Sequence, residues 1–430
     1  MNSMEKSATI QKRLESLGLR FPEILLPREE LDLERWAVIA CDQFTSDRDY
    51  WDEVERFVSD SPSTLRLVLP EAYLEERDQE EESRRVNSTM RRYLEEGVFR
   101  RIDRSAVYVQ RTLANGTVRQ GIVLAVDLES YDYHPETAAL IRASEETIPD
   151  RLPPRAAIRE GAPLETPHVL VLYNDPDETV IAGVKAAADT LETLYDTPLM
   201  MGGGSISGRR LPMDHPATEQ FIAALEAVRR GNLLFATGDG NHSLAAARTV
   251  WEQRKAAGAA SDDPMRYCLV ELVNVYDPGL PFHPIHRVAQ AETQPLLKKL
   301  KAAGGTRFTE CTRQELPRRL KERALGPREI AFYGSESAGI LTVTDDATLP
   351  VDLADTALAA VGARRIDYVH GLAEVLETAD RIGGIALILP EFDRDFLFPT
   401  VAEQGTLPRK AFSLGEARDK RYYLECRLLV

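Results

Sequence analysis

Apolar residues fall along this chain in two rhythms. In "WAVIACDQF" (36–44), "HVLVLYND" (168–175), "NLLFATGDG" (232–240) and "RYCLVELVNVY" (266–276) they run almost unbroken, which predicts buried strands. "TLRLVLP" (64–70) reads as another strand, stopped by Pro70. Helical spacing takes over in "YWDEVERFV" (50–58) and in the Glu- and Arg-dense stretch 71–97. It returns from about 176 to Leu194, in "ATEQFIAALEAVRRG" (217–231) and in "SLAAARTVWEQRKAAG" (243–258). "AVYVQRTLANGTVRQGIVLAVDL" (106–128) predicts a hairpin, because two β-rich runs flank Asn115-Gly116.

Beyond about 290 the texture changes to shorter alternating segments such as "QPLLKKLKAAGG", "EIAFYG", "GILTVT" and "GIALILP". Mixed strands and helices with a hairpin predict an α/β or α+β protein with mixed sheets. The organisation that follows is an N-terminal extension (1–20), a main domain with the hairpin as an insertion (21–290), and a smaller C-terminal α/β domain (291–430).

A chain of 430 residues is long enough for two or three cores. Its net charge of −16 argues against nucleic acid or an anionic membrane surface as partner, without excluding a local basic pocket for a small anion. The four cysteines lie far apart and form no CxxC, which argues against a zinc cluster or a secreted disulfide framework. The first twenty residues lack a signal peptide's apolar core, and no apolar run approaches a membrane span. A cytoplasmic protein is expected. Nothing in the pattern sets its oligomeric state.

The densest chemistry is in Thr237-Gly238-Asp239-Gly240-Asn241-His242-Ser243, between an apolar strand and an alanine-rich helix. A strand feeding a helix gathers unpaired N–H groups at the positive end of the helix dipole, a ready phosphate site. Gly238 and Gly240 are expected to allow left-handed angles and close approach, so that Asn241, His242 and Ser243 can cradle a phosphate. A structural turn explains Gly, Asn and Ser, and one of the polar side chains is expected to cap the helix. It does not explain Asp239 with His242. Beside a phosphate, Asp239 suits a magnesium ligand or a general base, and His242 a donor or proton shuttle.

Other candidates are weaker. Asp42, Gln43 and Thr45 follow a buried strand, where site residues of α/β sheets gather, and Asp42 is a candidate base. Gly202–Gly204 with Arg209 and Arg210 would wrap a phosphate as a mobile loop, or be a plain surface loop. Arg287 offers a cation, and His283 or His286 would complete a metal set with Asp239 and His242. There is no GxSxG and no GxxxxGK[ST].

The blocks "WAVIACDQFTSDRDYW", "TPHVLVLYNDP", "FATGDGNHSLAAAR", "FHPIHRV" and the tail "LPRKAFSLGEARDKRYYLECR" together resemble the bacterial family catalogued as domain of unknown function 1015, over about residues 20–430. The central turn also resembles the "DGHHR"-like signature of the ParB/sulfiredoxin-like superfamily, which includes a free-serine kinase. The resemblance implies a mixed-sheet N-terminal region that holds nucleotide phosphates. Asp239, Gly240 and His242 match that signature. Asn241 stands where the first histidine is usual, and Ser243 where the arginine is usual. Either another cation replaces the arginine, with Arg287, Arg209, Arg210 and Lys410 as the candidates, or nucleotide binding is altered or lost; Lys410 and Ser413 of the tail segment are second-tier site residues. The implied function is a nucleotide-dependent (ATP or ADP, with Mg2+) small-molecule phosphotransferase. The alternatives are a non-catalytic nucleotide- or metabolite-binding regulator and a metal-dependent hydrolase.

Overall fold

The computed structural model describes residues 3–73, 77–303, 306–345 and 348–430, with the backbone alone for 3–6. The chain forms two compact units. The first comprises Met1–Leu280, Phe398–Thr406 and Gly415–Val430, and the second Pro281–Leu397 and Leu407–Leu414.

The first unit is built on a mixed sheet of ten strands. Its main strands are β1 (Ser105–Thr112), β2 (Val118–Asp127), β3 (Leu170–Tyr173), β4 (Thr193–Pro198), β5 (Ser205–Pro212), β6 (Phe235–Asp239) and β7 (Tyr267–Asn274). They lie side by side in the order β4-β5-β1-β2-β7-β3-β6, continued by the short strands Ile141–Arg142 and Tyr131–Asp132. Most pairs are antiparallel, whereas β3 runs parallel to β7. The predicted hairpin is β1–β2, turning at Gly116 with φ 84°.

Successive residues of one strand face different cores, which is why the runs are apolar at most positions. Ala106 and Tyr108 pack with helices α1 (Thr179–Ala187) and α2 (Pro216–Val228), through Val180, Val184, Phe221 and Leu225. Val107 and Val109 join Trp36, Trp51, Met90 and the tail residues Tyr422, Leu424 and Cys426 on the other side. Helix α3 (Asn241–Ala256) gives Leu244 and Trp251 to the first core and Val250 to the second.

The second unit carries a six-stranded antiparallel sheet in the order 306–311, 338–343, 329–333, 385–388, 286–290, 364–369. Val288, Ala331, Val375 and Ala386 lie in its core. The architecture is mixed α/β.

Two local expectations are overturned. Residues Thr64–Leu67 form a 3-10 turn and not a strand, because Ser63 caps it by accepting the Leu65 amide while Ser63 and Thr64 donate to the Trp36 carbonyl. The helix after β3 ends at Ala187, and Thr193–Pro198 pairs as a strand with β5. The glycine-rich stretch is therefore the tip of the β4–β5 hairpin, closed by Leu199 N–H to Gly204 O at 2.8 Å.

Candidate functional site

The turn from β6 into α3 has the expected topology and an unexpected cap. Gly240 is the N-cap residue, in the left-handed region at φ 77°, and no side chain caps the helix. Gly238 lies within the strand β6 and does not share that conformation. The polar side chains are engaged elsewhere. Asn241 Oδ1 accepts the Thr237 hydroxyl, which braces the first helical residue against the strand. His242 Nε2 accepts the Ile148 amide at 3.2 Å, tying the ring to the 144–148 segment. A Cβ on residue 240 would stand 3.0 Å from Val169 Cγ2, so glycine lets the turn close on His168-Val169, the segment that leads into β3.

Asp239 is met by two donors. Its Oδ1 accepts the Gly240 amide at 3.0 Å, and its Oδ2 pairs with Lys420 Nζ at 3.2 Å. Lys420 is buried, with its side chain 9% exposed. It arrives from the C-terminal tail through an antiparallel ribbon in which Tyr422–Tyr423 pairs with Val38–Ile39. The Ala40 amide donates to the Arg421 carbonyl, so the register sets residue 420 beside the Cys41-Asp42 turn. Arg421 anchors the tail. Wholly buried, it bonds Glu271, Glu425 and the Pro167 carbonyl.

Asp42 completes the site with His168. The Asp42 Oδ2 and His168 Nε2 atoms are 3.9 Å apart, and Gln43 Nε2 donates to Asp42 Oδ1 at 2.9 Å. Ser243 Oγ lies 3.4 Å from the same His168 nitrogen. On the other side of the ring, Nδ1 lies 2.8 Å from the Tyr423 hydroxyl, which also accepts the Cys41 amide. Burial alone would raise the Asp42 carboxyl, but His168, the Gln43 amide and Lys420 outweigh it and hold it below the usual carboxylate range. Burial, with Asp42 beside it, pushes the Cys41 thiol up to about 11, so that sulfur is a neutral thiol and no nucleophile at neutral pH.

The cluster thus joins four chain segments: Asp42, His168, Asp239–Ser243 and Lys420–Tyr423. A cavity of about 190 Å³ opens against it, lined at this end by Cys41, Asp42, His168, Ser243 and Tyr423.

The remaining candidates are engaged elsewhere. Arg209 donates to Gln110, and Arg210 pairs with Glu192 and Asp103. Arg287 is wholly buried in the second unit, bidentate to Asp355 and bonded to the carbonyls of Ile285, Arg409 and Lys410. Lys410, at φ 57°, contributes that carbonyl. His283 and Ser413 face each other across a two-stranded ribbon of the same unit, and His286 Nδ1 accepts the Leu389 amide. Among the described residues, no group of three or more His, Cys, Asp or Glu side chains could hold a metal ion. No described helix is long and apolar enough to cross a membrane.

Sequence reasoning missed His168, Lys420 and Tyr423. A signal existed for the first: His168 is an ionisable residue at the head of the apolar run 168–173. For the tail, Lys420-Arg421 directly before two tyrosines, in a segment otherwise ending apolar, marks cations carried inward.

The family model described as "Protein of unknown function (DUF1015)" matches residues 21–364, and the chain belongs to that family. No curated protein matches it. Among solved structures it is similar to a free serine kinase mutant in complex with AMP, at 10% identity and a TM-score of 0.38 over 70% of this chain and 91% of that one. It is also similar to SbnI with a C-terminal truncation from Staphylococcus aureus, at 10% identity and a TM-score of 0.36 over 68% and 82%. A conserved hypothetical protein from Pyrococcus furiosus matches at 11% identity and a TM-score of 0.34 over 71% and 95%.

Proposed function

We propose that the first unit is a nucleotide-dependent phosphotransferase acting on the hydroxyl of a small molecule, with ATP or ADP as donor. The observation that carries this is the position of Lys420: a buried ammonium 3.2 Å from Asp239, at a helix N-terminus with no side-chain cap, whose charge also lowers Asp42. Where the wider signature has an arginine after its second histidine, this chain has Ser243, and the cation comes from the tail instead. The strand, the Asp-Gly turn and the helix that follows support placing the unit beside the ParB/sulfiredoxin-like proteins.

In this reading the first-turn amides of α3, its dipole and Lys420 hold phosphate oxygens. Asp42 orients the acceptor hydroxyl, with His168 and Gln43 fixing the carboxylate. The acceptor oxygen bonds to the transferred phosphorus as the bridging P–O bond to the nucleotide breaks. The electron pair leaves with the nucleotide phosphate, and the hydroxyl proton passes to Asp42. A loose phosphoryl-transfer transition state asks little of the base, so an ionised, well-placed carboxylate serves despite its low pKa. Magnesium would reach the site on the nucleotide's own phosphates, since Asp239 is already neutralised by Lys420.

Isothermal titration with ADP and ATP, with and without magnesium, tests the proposal. Wild-type protein binds, and Lys420→Met weakens binding by about tenfold or more while Lys420→Arg retains most of it. A folded wild type that binds neither nucleotide overturns it. One observation favours the alternative of binding without turnover: His242 Nε2 is engaged by a backbone amide and so is withheld from proton transfer. Nucleotide hydrolysis or transfer that is lost in Asp42→Asn removes that alternative.

A further inference from the structure

The cavity beside Asp42 has a chemical character of its own. At about 190 Å³ it is somewhat larger than the roughly 150 Å³ that accommodates benzene in a protein interior. Its walls away from the cluster are supplied by Leu67, Leu69, Met90, Ile158, Leu164 and Leu429. The charged residues that also line it are committed to one another. Arg155 pairs with Glu71, and Arg159 pairs with Glu165, which is held as well by Arg427. A ligand carboxylate would meet Asp42, and each arginine on these walls already has a carboxylate partner of its own. A zwitterion would need two partners where the site offers one carboxylate. A lone hydroxyl meets Asp42, His168 and Ser243 at one end, and an apolar body meets walls that are mostly hydrocarbon, interrupted by the Arg155–Glu71 and Arg159–Glu165 pairs.

We propose that this cavity is the acceptor subsite, and that it takes a neutral alcohol with an apolar body of about the size of one aromatic ring, its hydroxyl turned toward Asp42 and His168. The identification of the ligand as an acceptor rests on the phosphotransferase reading. The binding preference does not. The choice against an amino acid follows from charge: desolvating an ammonium and a carboxylate on these walls costs more than the apolar contact returns.

Benzyl alcohol is the probe, with benzoate and serine as comparisons, measured by ligand-observed NMR and calorimetry on the full chain without nucleotide. Benzyl alcohol binds, and benzoate and serine bind at least about tenfold more weakly. Ala246→Leu, which fills the cavity from α3, reduces benzyl alcohol binding by about tenfold or more. Ile158→Ala, which enlarges it, shifts preference toward a naphthyl alcohol and guards against a filled variant that does not fold. The proposal is overturned if benzyl alcohol does not bind, if benzoate binds equally well, or if both folded variants bind like wild type. ADP titrations on the same proteins separate the two ideas. Alcohol binding without nucleotide binding upholds the subsite and removes its acceptor role along with the phosphotransferase reading. Nucleotide binding without alcohol binding overturns this inference alone.

Discussion

Lys420 and Arg287 are both buried cations beside an aspartate, one in each unit, and they end in opposite states. Arg287 grips Asp355 with two nitrogens and spends its other contacts on three carbonyls, so the planar fork is fully consumed in holding its own unit together. Lys420 makes a single-point pair with Asp239 beside an uncapped helix end. A compact ammonium with rotatable donors can serve a ligand there without dismantling the fold. The sequence offered Arg287 as one of four candidate replacement cations because its charge type suited phosphate. What separates the two residues is how many of their donors the protein has already used.

The largest test of this contrast removes the buried guanidiniums. Arg421→Met strands Glu271 and Glu425, and Arg287→Met strands Asp355; each is expected to lose about 3–5 kcal/mol in chemical denaturation. Only Arg421→Met should also reduce ADP affinity, because it frees the tail that carries Lys420. Equal loss of ADP affinity in correctly folded Arg287→Met would break the comparison.

A pH titration of stability comes next. Burial, with His370 and Arg287 nearby, lowers His286 to about 4 from 6.5. The unfolded chain then binds a proton that the folded chain refuses between those values, so stability falls as pH drops from about 6.5 toward 4, by up to about 3 kcal/mol. His286→Gln should flatten that part of the profile, and an unchanged profile would show that His286 is not the group responsible.

Smallest is Gly240→Ala. The left-handed φ and the 3.0 Å approach to Val169 predict a loss of about 1–3 kcal/mol, read as a lowered melting temperature. An alanine variant as stable as wild type would mean that the turn tolerates a side chain.

Much of the fold was legible because it follows from burial. Strands covered on both faces are apolar at most positions, so β3, β7 and the run leading into β6 stood out as almost unbroken apolar stretches, and the β1–β2 hairpin was marked by Asn115-Gly116. Residues 64–67 misled because an apolar run says nothing about partners: hydroxyls of Ser63 and Thr64 took the Trp36 carbonyl and wound the segment into a turn. The turn at 238–243 was visible because its residue types are costly to place together without a use.

By itself, then, the sequence determined the mixed α/β class, the family, and the strand–Asp-Gly–helix turn, all of which depend on local pattern. Only the tertiary structure decided what stands beside that turn. Asp42, His168 and Lys420 are separated by more than a hundred residues at each step, and their meeting depends on a two-stranded ribbon and a buried Arg421 anchor. Charge type can be read from a sequence. Whether a charge is already spent depends on neighbours that only folding brings together.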